Sequence, residues 1–226
     1  MYETIRIVEK LKPKYVVWEN VKNVLSKKHR HNFENYLKQM ENIGYTNYYE
    51  VLNAKDYGVP QNRERAFVVS ILGNEHFEFP EKLDLKTRLK DVLEDNVEEK
   101  YYLSKDKIYS ITHWKGFQKP FKKVNGKESI VPTITARGAG EEHNGMIVYS
   151  DMLNQTTNLQ ERFFGGDIHL RIRKLTPKEC WRLMGFSDIA FEKAEKVNSN
   201  TQLYKQAGNS IVVNVLTEIF KKLFAH

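Results

Sequence analysis

The chain has 226 residues, of which 40% are apolar and 12% aromatic, enough for a hydrophobic core in one large domain or two small ones. Its single cysteine excludes an internal disulfide framework and a thiolate-rich zinc site, and no apolar run approaches the length of a membrane span or a signal-peptide core. The formal net charge of +7 permits a polyanionic partner such as nucleic acid, although such a charge more often serves solubility. We therefore expect a globular cytoplasmic protein without a membrane partner.

The first predicted strand ends in a carboxylate. An amphipathic helix occupies the first dozen residues and ends before Pro13. The segment Tyr15–Val21 is almost wholly apolar up to Trp18, a pattern that predicts a strand covered on both faces of its sheet. Glu19 then emerges near the carboxyl end of this strand, which is the edge where ligands bind in open α/β sheets. The alternative is an acid that only caps the next helix.

A helix and two further strands follow. After a basic loop at 27–31, apolar residues repeat at helical spacing from Phe33 to Ile43, until Gly44 stops them. The segments 48–52 and 66–72 are predicted strands. We expect the seven histidines at surface or loop positions rather than at a metal site.

The polar loop 56–65 connects these two strands and carries two arginines. In an extended segment Arg63 and Arg65 point the same way, and their planar guanidinium groups suit carboxylate, phosphate or base-edge contacts. The alternative is an ordinary surface ion pair from one of them to Glu64 or Glu50.

From about residue 80 the composition changes to short β-like and polar pieces. A basic, aromatic turn lies at 119–123, and the segment 130–138 combines threonines, an arginine and glycine. The nearby glycines would let the backbone around Thr135 and Arg137 approach a nucleic-acid groove closely. Glycine-rich loops with one arginine are also common in small β domains, so that alternative stays open.

Strong local signals return after residue 170. Thr176, Pro177 and Glu179 form a capping box with proline at the first helical position, which predicts a helix that ends near residue 185. Cys180 lies in this helix without a histidine nearby in sequence to activate it, which favours packing over nucleophilic chemistry. A last helix with a broad apolar face is predicted to begin at Gly208.

Four segments, in this order and at similar spacing, resemble motifs of one family, the DNA (cytosine-5) methyltransferases. They are Glu19-Asn20-Val21, Gln61-Asn62-Arg63-Glu64-Arg65, Arg173-x-Leu175-Thr176-x-x-Glu179 and Gln206-Ala207-Gly208-Asn209-Ser210. The resemblance spans the chain nearly end to end. It implies an α/β fold, part of a doubly wound S-adenosylmethionine-dependent methyltransferase sheet, with a smaller, mainly β target recognition domain. The implied division is a catalytic part at 1–79, the recognition domain at 80–170 and a closing segment at 171–226.

The resemblance also implies a chemistry. In this family a cytosine is flipped out of double-stranded DNA, a cysteine thiolate attacks C6, and C5 takes a methyl group from S-adenosylmethionine. The acid that holds the cytosine edge corresponds to Glu19, with Arg65 reaching O2 and Arg63 supporting the site. Asn209 and Ser210 match positions at the edge of the cofactor.

The middle region occupies the place of the family's target recognition domain. Lys122 and Lys123 are candidate phosphate contacts. The resemblance places Thr133, Thr135 and Arg137 near the major groove and the flipped base. Arg137 is the candidate base reader, and the two threonines are expected to shape the pocket.

The chain departs from the family pattern, because neither a glycine-rich cofactor loop nor a Pro-Cys motif occurs ahead of Glu19. We expect the carboxyl-terminal part of a split or truncated bacterial or phage enzyme, inactive alone, whose partner is an amino-terminal methyltransferase subunit carrying the Pro-Cys motif. The alternative is a non-catalytic or degenerate DNA-binding protein that keeps only the recognition part. Retention of Glu19, Arg63 and Arg65 favours the enzyme, because a pure DNA reader needs no carboxylate for a cytosine edge.

Overall fold

A computed structural model describes residues 2–104, 106, 124–125, 128–136, 146–149 and 171–224. They belong to two compact units. Unit 1 comprises Met1–Tyr57, Arg63–Asp84 and Ile211–His226, and unit 2 comprises Gly58–Asn62 and Leu85–Ser210. The division of the chain at residues 79 and 170 that the resemblance implies remains a prediction.

The α-helices and strands of the described residues have the following bounds. In chain order the helices are α1 (Tyr2–Leu11), α2 (Arg30–Asn42), α3 (Pro177–Arg182), α4 (Asp188–Glu195), α5 (Asn200–Asn209) and α6 (Val213–Phe224). The strands are β1 (Tyr15–Val21), β2 (Tyr45–Asn53), β3 (Gln61–Asn62), β4 (Glu64–Leu72), β5 (Val124–Asn125), β6 (Val131–Pro132), β7 (Met146–Tyr149) and β8 (Arg171–Lys174). None of the helices in the described ranges is long and apolar enough to cross a membrane.

The sheet of unit 1 has β4 at its centre. β1 and β2 both pair antiparallel to β4, so they run in the same direction, with α2 in the connection between them. Glu19 lies opposite Phe67, and Asn53 lies opposite Glu64. The carboxyl ends of β1 and β2 therefore flank the start of β4, which is where the polar loop delivers its arginines.

Helices cover both faces of this sheet. On one face, α1 and α2 pack against Val68 in a buried cluster whose other members are Val8, Phe33, Tyr36, Met40 and Tyr45. Phe67 points to the opposite face, where it lines a cavity together with Val215 of α6. Ile219 and Leu223 of α6 are also buried, as the apolar face of the predicted last helix requires.

β1 differs from the strand expected from its apolar sequence. Its residues are half-buried rather than buried, and Val21 is exposed. In the described part of the chain β1 pairs with β4 alone, so its other edge meets no strand there. An apolar run predicts a strand, but it carries no information about how many neighbouring strands that strand has.

A buried ion pair organises the start of α3 in unit 2. The predicted capping box is confirmed: Glu179 N donates to Thr176 Oγ1 at 3.2 Å, and Thr176 N donates to Glu179 Oε2 at 2.8 Å. Arg173 donates two hydrogen bonds to Glu179, at 2.8 and 2.7 Å, and both side chains are fully buried. Trp181 of α3 contacts Phe191 of α4, with ring centroids 5.6 Å apart.

The helices near the carboxyl end differ from the prediction. Gly208 and Asn209 end α5 instead of beginning the last helix, which starts at Val213. The apolar pattern does not predict α4 or α5. α4 begins after the N-cap Ser187 and α5 after the N-cap Ser199, and each serine hydroxyl accepts a main-chain hydrogen bond. The sequence signal for these two helices is therefore the N-cap serine and not apolar periodicity.

Candidate functional site

The predicted acid and one predicted arginine form an ion pair. Glu19 lies opposite Phe67, so Arg65, two residues earlier in β4, is its diagonal neighbour on the same face. Glu19 Oε1 and Arg65 Nε are 3.1 Å apart, and the two side chains are only 15% and 16% exposed. The alternative, an ion pair from Arg65 to Glu64 or Glu50, is wrong for Arg65, because Arg65 pairs with the carboxylate of Glu19. Arg65 Nη1 donates to the main-chain carbonyl of Glu64 and not to its carboxylate.

Opposing influences act on the charge of Glu19. Burial raises the pKa of Glu19 above its ordinary value of 4.5, and the positive charges of Arg65 and Arg63 oppose that rise. Glu19 therefore accepts a proton more readily than a solvated glutamate does. It does not act as the cap of the turn Lys22–Leu25, whose N-cap residue is Val21.

Arg63 is the more buried of the two arginines, with 3% of its surface exposed. Burial and the charge of Arg65 lower the pKa of Arg63 to about 10, while Glu19 opposes this shift. The guanidinium group therefore stays charged at neutral pH. A fixed cation beside Glu19 stabilises the ionised carboxylate and limits how far burial can raise its pKa.

A small cavity lies against these three side chains. Its polar walls are Glu19, Arg63 and Arg65, and its apolar walls are Leu52, Ala54, Phe67, Val212 and Val215. The volume of about 10 Å³ accommodates one water-sized group. Apolar walls lower the local dielectric constant, which strengthens the interactions among the three charges.

Two asparagines support this group, and neither is among the residues predicted from the sequence. Asn53 Oδ1 accepts a hydrogen bond from the main-chain N–H of Arg63 at 3.0 Å. An asparagine directly after a predicted strand is the signal that could have found it, because such residues hydrogen-bond the backbone of turns. Asn214 of α6 donates to the carbonyl of Tyr57 at 3.0 Å and so ties that helix to the turn after β2.

In unit 2, β3 holds the segment that contains Thr133. Gln61 is fully buried; its Oε1 accepts from Ile134 N at 2.9 Å, and its Nε2 donates to the carbonyl of Leu183 at 2.6 Å. Thr133 Oγ1 donates to the carbonyl of Asn62 at 2.9 Å. The Thr133 hydroxyl thus contributes to the fold of the segment, and its role in shaping the pocket of the flipped base remains a prediction.

The cofactor candidates follow a close contact between α5 and the same segment. Gly208 approaches the main chain of Thr135 and Ala136 so closely that a Cβ atom on Gly208 would overlap it. Asn209 is exposed, so its amide can donate to and accept from a ligand. Ser210 donates its hydroxyl to a carbonyl of α5 at 2.6 Å. The assignment of Asn209 and Ser210 to one edge of the cofactor remains a prediction.

The remaining candidates divide into two groups. Lys122, Lys123 and Arg137 lie outside the described residues, so their assignment as DNA contacts remains a prediction. Cys180 is fully buried, and burial raises the pKa of its thiol, which confirms packing rather than nucleophilic chemistry. Within the described ranges, no group of three or more His, Cys, Asp or Glu side chains could hold a metal ion.

Comparison with known proteins gives consistent matches over nearly the whole chain. The type II methyltransferase M2.ScrFI of Lactococcus lactis subsp. cremoris is 40% identical over 99% of this chain and 58% of its own length. The type II methyltransferase M.HhaI of Haemophilus parahaemolyticus is 33% identical over 96% of this chain and 65% of its own length. The chain therefore spans more than half, but less than two thirds, of these relatives.

Solved structures and a family model agree with these matches. The crystal structure of S. pombe Dnmt2 methyltransferase superposes with a TM-score of 0.78 at 21% identity, over 99% of this chain and 69% of that one. At this identity the likeness shows the α/β fold alone. The model of the family described as C-5 cytosine-specific DNA methylase matches residues 1–225. The chain belongs to the C-5 cytosine-specific DNA methylase family.

Proposed function

We propose that this chain binds a flipped cytosine and reads the target sequence as the carboxyl-terminal part of a DNA (cytosine-5) methyltransferase. The observation that carries the proposal is the group of Glu19, Arg63 and Arg65, one acid and two cations around a cavity with apolar walls. A carboxylic acid can donate to N3 of cytosine and accept from its exocyclic amine, and an arginine can donate to O2. Family membership supports this assignment.

The electrostatics of Glu19 suit this role. Because the pKa of Glu19 is raised, a larger fraction of Glu19 is protonated near neutral pH than of a solvated glutamate. A group that donates a proton to a base needs this protonated form. A proton held at N3 draws electron density from the ring, so that a nucleophile can add at C6. Arg65, which pairs with Glu19 at 3.1 Å, exchanges part of that contact for the cytosine oxygen when the base enters. Arg63 remains buried and keeps a positive charge beside the acid.

The rest of the chemistry needs groups that this chain does not provide. S-adenosylmethionine supplies the methyl group, and Asn209 with Ser210 would contact one edge of it. Cys180 is buried and its thiol has a raised pKa, so it does not serve as the nucleophile. We infer that the nucleophilic cysteine and the other cofactor contacts come from polypeptide outside this sequence, such as an amino-terminal methyltransferase subunit with a Pro-Cys motif.

Double-stranded DNA is the proposed substrate, in the nucleoid of a bacterium or on phage DNA. Lys122 and Lys123 would neutralise phosphates, in agreement with the net charge of +7. Arg137 would read a base edge in the major groove, and Thr135, which is exposed, would lie beside it. Thr133, whose hydroxyl bonds to the main chain of β3, would shape the segment.

Replacing the acid tests the proposal. Glu19→Ala should lower methyl transfer to DNA by the reconstituted enzyme at least about a hundredfold, within the range for a positioned acid or base. Glu64→Ala is the matched control, because Glu64 pairs with Lys22 at 3.0 Å and its side chain is 46% exposed. Near-normal transfer by a folded Glu19→Ala enzyme would contradict the proposal and leave DNA recognition, with no catalytic role for this chain, as the better function.

A further inference from the structure

Asn53, the last residue of β2, holds the main chain of Arg63. Asn53 is 9% exposed, and its Oδ1 accepts a hydrogen bond from Arg63 N at 3.0 Å and a longer one from Lys55 N at 3.4 Å. The next residue, Ala54, donates its N–H to the carbonyl of Arg63 at 3.0 Å. Both main-chain polar groups of Arg63 are thus bonded to two consecutive residues.

These bonds occur where the sheet would otherwise open. The ladder between β2 and β4 ends with Asn53 opposite Glu64, so Arg63 lies one residue beyond the last ladder pair. The Asn53 amide oxygen continues the hydrogen bonding by that one residue. Without it, a buried N–H would need another acceptor, and the segment would move to find one. The Arg63 guanidinium would move with its main chain.

We propose that Asn53 is a positioning residue for the group of Glu19, Arg63 and Arg65. By fixing the Arg63 main chain, it keeps the Arg63 charge beside Glu19 and so maintains the site in which the cytosine edge binds. The link from Asn53 through Arg63 to Glu19 is a property of unit 1 alone, whereas its catalytic consequence rests on the proposed function. An asparagine that only formed the turn would stabilise the protein without affecting Glu19.

Three variants separate positioning from simple stabilisation. Asn53→Leu keeps the size of the side chain and removes the acceptor, and Asn53→Asp keeps an acceptor oxygen. Asn47→Leu is the matched control, because Asn47 lies in the same strand about 20 Å away. The Asn47 amide also makes two hydrogen bonds, donating to Leu37 O at 3.0 Å and accepting from Ser70 Oγ at 2.6 Å.

Two measurements on the purified chain report the link. In Asn53→Leu, hydrogen exchange of the Arg63 N–H should become at least about tenfold faster, because its acceptor is gone. The pKa of Glu19, followed by NMR of its carboxyl carbon, should shift upward, because Arg63 and Arg65 are the charges that lower it. Asn53→Asp should keep the slow exchange of Arg63, and Asn47→Leu should change neither quantity.

The two NMR measurements test the proposal without an assay of catalysis. If Asn53→Leu leaves the pKa of Glu19 where Asn47→Leu leaves it, Asn53 only stabilises the turn and the proposal is wrong. If Asn53→Leu does not fold, Asn53→Ser, whose shorter hydroxyl reaches Arg63 N less well, should show the same two changes in smaller size. The absence of both changes in Asn53→Ser would overturn the proposal.

In an active reconstituted enzyme, Asn53→Leu should lower kcat while the KM for DNA stays nearly constant, and Asn53→Asp should recover most of kcat. An inactive wild-type mixture would contradict the proposed function and leave the two NMR results intact.

Discussion

At the scale of single residues, Glu19 is the group on which the proposed chemistry depends. Burial raises its pKa above 4.5, against the effect of Arg65 and Arg63. The folded protein therefore holds the proton of the Glu19 carboxyl group more tightly than the unfolded chain does. The contribution of Glu19 to the free energy of unfolding is thus most favourable in acid solution. That contribution is fully present below about pH 4.5 and is lost as the pH rises through the folded-state pKa.

An NMR titration of the purified chain should find the pKa of Glu19 above 4.5. Arg65→Gln should raise it further, since that change removes the nearer cation from beside the carboxylate. Lys22→Gln is the control, because Lys22 pairs with the exposed Glu64 and should leave the Glu19 titration unchanged. A pKa at or below 4.5 in the wild-type chain would contradict the account of its burial.

Part of this site follows from local sequence and part does not. Glu19, Arg63 and Arg65 can be predicted because a carboxylate after an apolar run and two arginines in a polar loop are local patterns. The roles of Asn53 and Val212 need more than a local pattern. The position of Asn53 after a predicted strand marks it as a turn residue, but its bond to Arg63 depends on the register between β2 and β4. The place of Val212 in the cavity wall depends on the packing of α6, which begins at the next residue, against segments far away in sequence. The sequence indicates that such residues are polar or apolar, but not which groups they meet.

At the scale of elements, the buried pair of Arg173 and Glu179 should dominate the stability of α3. Glu179→Gln leaves the Arg173 cation buried without a negative partner, so the free energy of unfolding should fall by about 3–5 kcal/mol. Glu192→Gln is the control, because the side chain of Glu192 is 57% exposed and its pair with Lys178 should contribute less than about 1 kcal/mol. Urea denaturation measures both. Equal decreases in the free energy of unfolding of the two variants would mean that the buried pair contributes no more to stability than the Glu192 pair does.

The contact between α5 and the Thr135 segment predicts that replacing Gly208 by alanine destabilises the protein, which is the reverse of the usual effect in a helix. An alanine usually stabilises an open helix position by about 0.5–1 kcal/mol relative to glycine. Gly208→Ala should instead lower the free energy of unfolding by about 1–3 kcal/mol, because its Cβ would overlap the main chain of Thr135 and Ala136. Thermal or urea unfolding tests this, with the exposed Asn209→Ala as control, expected within about 0.5 kcal/mol of wild type. A stabilised Gly208→Ala protein would show that the two segments do not touch.

The elements themselves differ in how far sequence predicts them. The capping box of α3 and the helical face of α2 are encoded within a few residues, and both form as predicted. α4 and α5 are short and weakly amphipathic, so their apolar pattern gives little signal. The half-buried state of β1 depends on which strands lie beside it, which no local pattern contains.

At the scale of the whole molecule, the surface of unit 1 bears on the proposed half-enzyme. Large exposed apolar side chains occur on α1, at the end of β1 and on α6, namely Ile7, Leu11, Val21, Phe220 and Phe224. Among the described residues, β1 also has an unpaired edge. Such a surface is expected if the sheet continues in polypeptide outside this sequence, and the chain spans 58% of its lactococcal relative.

The most direct test is transfer of labelled methyl groups from S-adenosylmethionine to DNA. The purified chain would be assayed alone and mixed with the part of M2.ScrFI that lies outside the match. We predict no transfer by the chain alone, because Cys180 is buried and there is no other cysteine, and transfer in the mixture that Glu19→Ala reduces at least about a hundredfold. Incorporation of label by the chain alone, in a preparation free of host methyltransferase, would contradict the proposed division of the chemistry.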